Sequence, residues 1–320
     1  PNAMDICGEA PPLQKYDDGT ESLCWLTTPP IEPPAPEMPP AEIVASSDDA
    51  IVEVERLSVA FPQRRGEART VLEDISLQVR RGETLGLVGE SGCGKTTLAR
   101  TIAGLNAPTA GVIRFDGADT ADLSDAEWRQ MRRKVQVVFQ DPFGSLNPKR
   151  RVGSIIGDPF RIHKVASGAD RLARVQELME IVGLNPEHYN RFPSQFSGGQ
   201  RQRIGIARAI ALKPELVILD EPVSALDVSI QAQVLNLLDE LQRELGLTYL
   251  FISHDLAVVR HVCDRIAVMD GGKIIELGSA ETVYGQPQQA FTKKLLSAAA
   301  PEIPRVERER VLISAAGGAL

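Results

Sequence analysis

The chain has 320 residues, 43% of them hydrophobic and 24% charged, with a net charge of −8, a mixture that suits one large globular domain or two small ones. That acidic balance argues against broad electrostatic binding of nucleic acid, which needs clustered Lys and Arg. No run nears the roughly 18 consecutive apolar residues that span a bilayer, and the four scattered cysteines, Cys7, Cys24, Cys93 and Cys263, do not read as a disulfide framework.

In chain order, residues 1–26 read as the tail of a preceding unit, because residues 27–50 hold seven prolines and little apolar periodicity. Such a segment favours extended conformations and reads as a linker. From Ile51 the pattern changes. Ile51–Val59 and Val71–Val79 alternate as half-buried strands, and Thr84–Val88 is a short apolar strand that runs straight into glycines. Val135–Phe139, Leu216–Leu219 and Thr248–Ile252 are compact apolar runs, as parallel strands buried on both faces should be. Between them lie helical patterns: Arg171–Val182 lines up Leu172, Val175, Leu178, Met179 and Val182, and Gln231–Leu245 lines up Val234, Leu238, Leu241 and Leu245. Strands alternating with helices predict an α/β fold with a mainly parallel sheet. The stretch of about 141–214 reads as a helical subdomain. Past about 286 the chain is mixed, and Glu302–Arg310 reads as a solvated charged tail.

Gly89-Glu90-Ser91-Gly92-Cys93-Gly94-Lys95-Thr96 fits GxxxxGK[ST] between a predicted strand and the apolar helix Thr97–Leu105, the context that a phosphate-binding loop requires. Gly89, Gly92 and Gly94 let the backbone turn its N–H groups inward, with Ser91 between them, and the following helix, opening through Thr96 and Thr97, adds its positive end. Lys95 suits the β- and γ-phosphates and the Thr96 hydroxyl suits Mg²⁺. Asp220 ends the Leu216 strand where ligands bind in open α/β sheets, and suits Mg²⁺. Glu221, one residue on, is the group to polarise an attacking water. Cys93 and Cys263 read as small packed residues, and His163, His188 and His261 as surface or packing residues.

Ser197-Gly198-Gly199-Gln200-Arg201-Gln202-Arg203 resembles the LSGGQ signature of ABC ATPases, with Phe196 as the apolar anchor in place of Leu. Residues 51–285 carry the resemblance. It implies a P-loop NTPase (RecA-like) core, an N-terminal antiparallel β subdomain and a helical signature subdomain. It identifies Gln140 as the Q-loop glutamine, Ser224-Ala225-Leu226-Asp227 as the D-loop with Asp227, His254 as the switch histidine, and Phe61 as the aromatic that stacks on adenine, a position where plain packing is the other reading. ATP and Mg²⁺ are the implied ligands, with Mg²⁺ held through Thr96, Gln140 and Asp220. The resemblance further implies that each ATP is sandwiched between one domain's P-loop and the other's signature, so Ser197, Gly198, Gly199 and Gln200 would serve the facing domain.

Two further segments resemble peptide and nickel importer ATPases: Phe139–Pro148 (FQDPFGSLNP) and Gln288–Ala298 (QQAFTKKLLSA). Residues 1–24 resemble the end of another such ATPase, a tail whose cysteines in some members hold a [4Fe–4S] cluster; Cys7 and Cys24 would be two ligands, with others before Pro1. The resemblance implies a tandem protein whose second half is residues 51–285 with a C-terminal extension at 286–320. Its implied partners are a second ABC ATPase domain, two transmembrane permease subunits that would hold the chain at the cytoplasmic face of the membrane, and an extracytoplasmic substrate-binding protein, with no nucleic acid. The expected function is ATP hydrolysis that drives peptide import. The alternatives are a tandem ABC ATPase working in translation or nucleic-acid maintenance, and an importer for nickel or another small cargo.

Overall fold

The computed structural model describes residues 13–15, 21–23, 49–63, 68–141 and 144–299. The chain divides into two units, residues 1–42 and 43–320. In the first, strands β1 (Leu13–Lys15) and β2 (Glu21–Leu23) form an antiparallel pair in which Leu13 faces Leu23.

In the second unit β3 (Ala50–Phe61) and β4 (Arg69–Arg80) lead to β5 (Thr84–Val88) and α1 (Lys95–Ile102). Then come β6 (Ala110–Phe115), β7 (Ala118–Asp119), α2 (Asp125–Lys134) and β8 (Val135–Val138). Helices α3 (Val152–Ile156), α4 (Asp158–Ile162), α5 (Gly168–Ile181) and α6 (Gly198–Ile210) precede β9 (Leu216–Asp220). The remainder is α7 (Val228–Leu245), β10 (Thr248–Ile252), α8 (Leu256–Val262), β11 (Arg265–Asp270), β12 (Lys273–Ser279), α9 (Ala280–Gly285) and α10 (Ala290–Ala299).

These strands make two sheets. One is a four-stranded antiparallel sheet in the order β4-β3-β6-β7; the other has six strands in the order β12-β11-β5-β10-β9-β8, all parallel except β12. Every residue of β5, β9 and β10 is buried, and their side chains alternate between two cores as the period of a strand demands. Leu216, Ile218, Leu250 and Ile252 join the core shared with the antiparallel sheet and α1. Val217, Leu219, Tyr249 and Phe251 join the core covered by α3–α8.

Two helical stripes are narrower than the sequence predicts. In α5, Val175 and Met179 are buried with Val182 just beyond the helix, but Leu172 is exposed, because the helix packs on α3, α6 and the turn at 186–190 only from its second turn onward. In α7, Val234, Leu237, Leu238 and Leu241 are buried and Leu245 is exposed. Gly246 closes that helix at φ 65°, a left-handed cap that glycine adopts at least cost, and the reversal sends Leu247 into the core instead. The predicted helix Thr97–Leu105 starts at Lys95 and ends at Ile102, leaving Leu105 exposed.

One buried ion pair ties the two sheets together. Arg265 of β11 donates to both oxygens of Glu83, at 3.0 and 3.2 Å, and Glu83 also accepts from the Arg80 N–H at 2.7 Å. The side chains are only 13% and 8% exposed, and removing one member of a buried pair strands the other charge. Glu83→Ala is therefore expected to destabilise the fold by about 3 kcal/mol, read by urea unfolding; a loss below about 1 kcal/mol would assign the pair to the surface class.

Candidate functional site

The strand order β5-β10-β9-β8 brings four C-terminal ends side by side. Each delivers one piece of the site: the glycine-rich loop after β5, Ser253-His254 after β10, Asp220-Glu221 at the end of β9, and Phe139-Gln140 after β8. This is where an open parallel sheet binds ligands.

The loop after β5 is held by close backbone approaches. A Cβ at Gly89 would lie 2.1 Å from the Met269 carbonyl oxygen, and Gly94, at φ 111°, caps α1 in a conformation that side chains resist. Ser91 and Gly92 are exposed. Lys95 is 6% exposed, and its ammonium donates to the carbonyls of Gly89 and Glu90, each at 2.8 Å, with Cys93 Sγ at 3.8 Å. Cys93 is buried as packing predicts. The loop thus surrounds a buried cation at the N-terminal end of a helix, two features that favour an anion.

Thr96 donates from its hydroxyl to Asp220 Oδ1 at 3.2 Å. A hydroxyl and a carboxylate are hard oxygen ligands of the kind Mg²⁺ takes alongside phosphate oxygens and water. Asp220 is 5% exposed. Burial pushes its carboxyl up from the ordinary carboxylate pKa, Glu221 adds to the rise, and the Thr96 hydroxyl with Arg100 and Lys95 opposes it. A raised folded pKa means that the folded state binds the proton more tightly, so stability falls as pH climbs from the ordinary carboxylate value through the folded one. Asp220→Asn is accordingly expected to stabilise the chain at neutral pH by about 1 kcal/mol. Thermal melts at neutral and strongly acidic pH check this, since the gain should vanish once Asp220 is protonated in both the folded and the unfolded state.

Glu221 sits in the left-handed region at φ 47°, a conformation that costs a non-glycine residue about 1–3 kcal/mol. Its N–H donates to the Ile252 carbonyl at 3.0 Å, locking the ends of β9 and β10 together. The side chain is pinned from two sides: Gln140 Nε2 donates to Oε2 at 2.7 Å, and His254 Nδ1 lies 3.2 Å from Oε1. Sequence reasoning named all three residues, but their mutual contact depends on the strand order. Beside them a cavity of about 480 Å³ is lined by Thr96, Arg100, Phe139, Gln140, Asp141, Gly144, Ser145 and Asp220. Arg100 was not foreseen. Its only signal in the sequence is its place one turn past Thr96 on α1.

The signature segment starts a different surface. Ser197 caps α6 by accepting from the Gln200 N–H at 3.3 Å, while Gln200 Oε1 accepts from the Ser197 N–H at 3.0 Å. Gly198 begins the helix and Gly199 is buried against α7, where a Cβ would lie 2.2 Å from Ile230 Cγ2. Phe196 is buried, with the His188 ring edge-on at 5.9 Å, as an apolar anchor requires. Asp227 caps α7 by accepting from the Ile230 N–H at 3.0 Å, and Val228 beside it is 81% exposed. Phe61, at the end of β3, is 41% exposed. None of these residues lines the Thr96–Asp220 cavity. Thr97 is half-buried on α1. Cys7 and Cys24 lie outside the described residues, as do Pro142 and Phe143.

The family model described as "ABC transporter" matches residues 72–224. A putative peptide import ATP-binding protein of Brucella ovis is 51% identical over 251 residues, 78% of this chain and 79% of that one. The oligopeptide transport ATP-binding protein OppF of Bacillus subtilis is 51% identical over 265 residues, 82% of this chain and 87% of that one. Among solved structures, the dimeric post-hydrolysis state of the ATP-binding cassette MJ0796, bound to ADP and Pi, superposes with a TM-score of 0.65 at 31% identity, covering 72% of this chain and 98% of that one.

Proposed function

Because the chain belongs to the ABC transporter family of ATP-binding proteins, we propose that it hydrolyses ATP to drive an importer whose cargo is peptides. One observation carries the hydrolytic part: the Glu221 carboxylate is held between Gln140 and His254, beside the Thr96–Asp220 pair and the buried Lys95. In this reading Lys95 and the loop amides at Gly89, Ser91, Gly92, Gly94, Thr96 and Thr97 bind the phosphates, and Phe61 meets the adenine. Thr96, Asp220 and Gln140 would hold Mg²⁺, which when bound neutralises phosphate charge. Glu221 takes the proton of an attacking water, and His254 steadies Glu221 and the outermost phosphate. Transferring charge is best met by donors fixed in advance.

The exposed Ser197 hydroxyl and the free N–H groups that open α6 are assigned to a nucleotide on a facing domain, together with Asp227 at the contact. The dimeric state of MJ0796 supports a paired arrangement. The reading puts the facing domain upstream in the same polypeptide, on the resemblance of residues 1–26 to another ATPase tail, and takes residues 51–285 as the ATPase domain. The peptide cargo is supported by the names of the relatives. Among the described residues no helix is long and apolar enough to cross a membrane, so permease subunits would carry the cargo and hold the chain at the cytoplasmic face, with a binding protein delivering peptide from outside.

The test is ATPase measurement on the chain co-purified with its permease subunits in proteoliposomes. Mg²⁺-dependent hydrolysis stimulated several-fold by peptide-loaded binding protein is the expected result. Absence of hydrolysis would remove the ATPase reading, and stimulation by ribosomes or DNA in place of peptide would remove the import reading.

A further inference from the structure

Helices α9 and α10 have no part in the site as described, yet they grip the helix that follows His254. We propose that α9 and α10 form a brace for α8 that holds His254 on Glu221, with Tyr284 as the positioning residue. The proposal rests on the hydrolytic role given above to Glu221 and His254.

His254 has little freedom along the chain. Before it, Ser253 donates its N–H to the Leu87 carbonyl at 3.3 Å, and its hydroxyl accepts from the Asp255 N–H at 3.0 Å. After it, Asp255 caps α8 by accepting from the N–H groups of Ala257 and Val258, at 2.9 and 3.3 Å. A rigid shift of α8 therefore passes directly to the imidazole. With seven residues, α8 is far shorter than the roughly 12–15 needed for an isolated helix to persist in water, so its position is set by what touches it.

Two surfaces touch it. On the inner side Leu256 and Val259 are buried, and α8 packs so closely on β5 that a Cβ at Gly86 would lie 2.8 Å from Cys263 Sγ and 3.0 Å from Val259 Cγ1. On the outer side, Tyr284 of α9 donates its hydroxyl to the Leu256 carbonyl in the first turn of α8, and Arg260 sits over the Tyr284 ring, 5.5 Å from its centroid. Burial, with the Cys263 thiol nearby, pushes the phenol up to about 12, so it remains a donor throughout the working pH range.

The outer surface is itself anchored. Glu276 of β12, 7% exposed, accepts from the N–H groups of Gln288 and Gln289 at 2.8 and 3.2 Å, fixing the entry to α10. From there Phe291, Leu295 and Leu296 pack on the core that contains Leu256 and Val259. The FTKKLLSA stretch thereby acquires a task in the ATPase itself: it carries the hydrophobic half of the brace, and Tyr284 carries the directional half.

The test is Tyr284→Phe, which removes one hydroxyl and keeps the ring. Hydrolysis at saturating Mg-ATP should fall about fivefold with KM within twofold, because nucleotide contacts are untouched. In a His254→Ala background, followed by single-turnover hydrolysis, the same substitution should have no further effect. Equal losses in both backgrounds, or none in either, overturn the brace. A second readout does not depend on turnover: in the nucleotide-free chain labelled with ¹⁵N-histidine, Tyr284→Phe should shift the His254 ring signals and leave those of His163 and His188 in place. An unmoved His254 signal overturns the proposal, whereas a chain that never hydrolyses ATP but shows the shift overturns only the functional reading.

Discussion

Glu221→Gln is expected to reduce ATP turnover about a thousandfold, within the range set by loss of a general base, and to leave ATP affinity within about threefold of the parent, the scatter expected when no nucleotide contact is removed. The substitution preserves shape, and the local hydrogen bonds survive it. Gln140 can still donate to the amide oxygen at residue 221, and the amide nitrogen can face His254 Nδ1, which is 3.2 Å from Oε1 in the parent. The Glu221 N–H bond to the Ile252 carbonyl, which sustains the φ of 47°, belongs to the backbone and is unaffected. What disappears is the carboxylate's basicity together with its negative charge. Equilibrium binding of a fluorescent ATP analogue, single-turnover hydrolysis and gel filtration with ATP separate the two effects, and a nucleotide-trapped pair of domains should accumulate. Turnover within tenfold of the parent, in an assembly whose other site is disabled, would assign the base to another group.

The parts of the site that lie within one stretch of sequence were legible. Glycines at 89, 92 and 94 with Lys95 and Thr96 mark the loop by their spacing alone, and the apolar run before Asp220 places that carboxylate at a strand end. The strands were equally readable, because residues buried on both faces leave an unbroken apolar run; β5, β9 and β10 match the predicted segments within a residue. What depends on tertiary neighbours was not legible. That Gln140 and His254 converge on Glu221 follows from β9 lying between β10 and β8, an order that chain sequence does not state. The Arg265–Glu83 pair joins residues 182 positions apart and carries no local signal. Leu172 and Leu245 show the same limit on helices: period 3.6 names a face, but only the neighbouring element decides how much of that face is covered. Residues 288–298 were marked in the sequence by family resemblance alone, and both the docking of α10 and the Tyr284 bond to Leu256 that gives the brace a direction are invisible without coordinates.

Lys95→Ala should act on binding where Glu221→Gln acts on chemistry. Lys95 is 6% exposed and its ammonium is bonded to the Gly89 and Glu90 carbonyls, so it is stretched across the mouth of the loop and requires only rotation to reach an arriving phosphate. Its removal subtracts a buried positive charge from an anion site, where charge-assisted bonds are the strong ones. It also leaves two loop carbonyls without their donor, so the loop should lose the shape that turns its N–H groups inward. The two losses add in the same direction. ATP affinity is expected to fall about a thousandfold, equivalent to about 4 kcal/mol, whereas ADP and ATP should become more alike, because the lysine favours the ligand with the greater charge. The fold itself should survive, since Gly94 and the α1 core residues Leu98, Ala99 and Ile102 are untouched. Lys95→Arg is the informative companion: it restores charge, but the wider guanidinium cannot sit between the Gly89 and Glu90 carbonyls in the space an ammonium occupies. Recovery of ATP binding by arginine to within tenfold of lysine would show that charge alone suffices and that the fit within the loop contributes little. Titration calorimetry on the three proteins, with ATP and with ADP, decides between charge and fit.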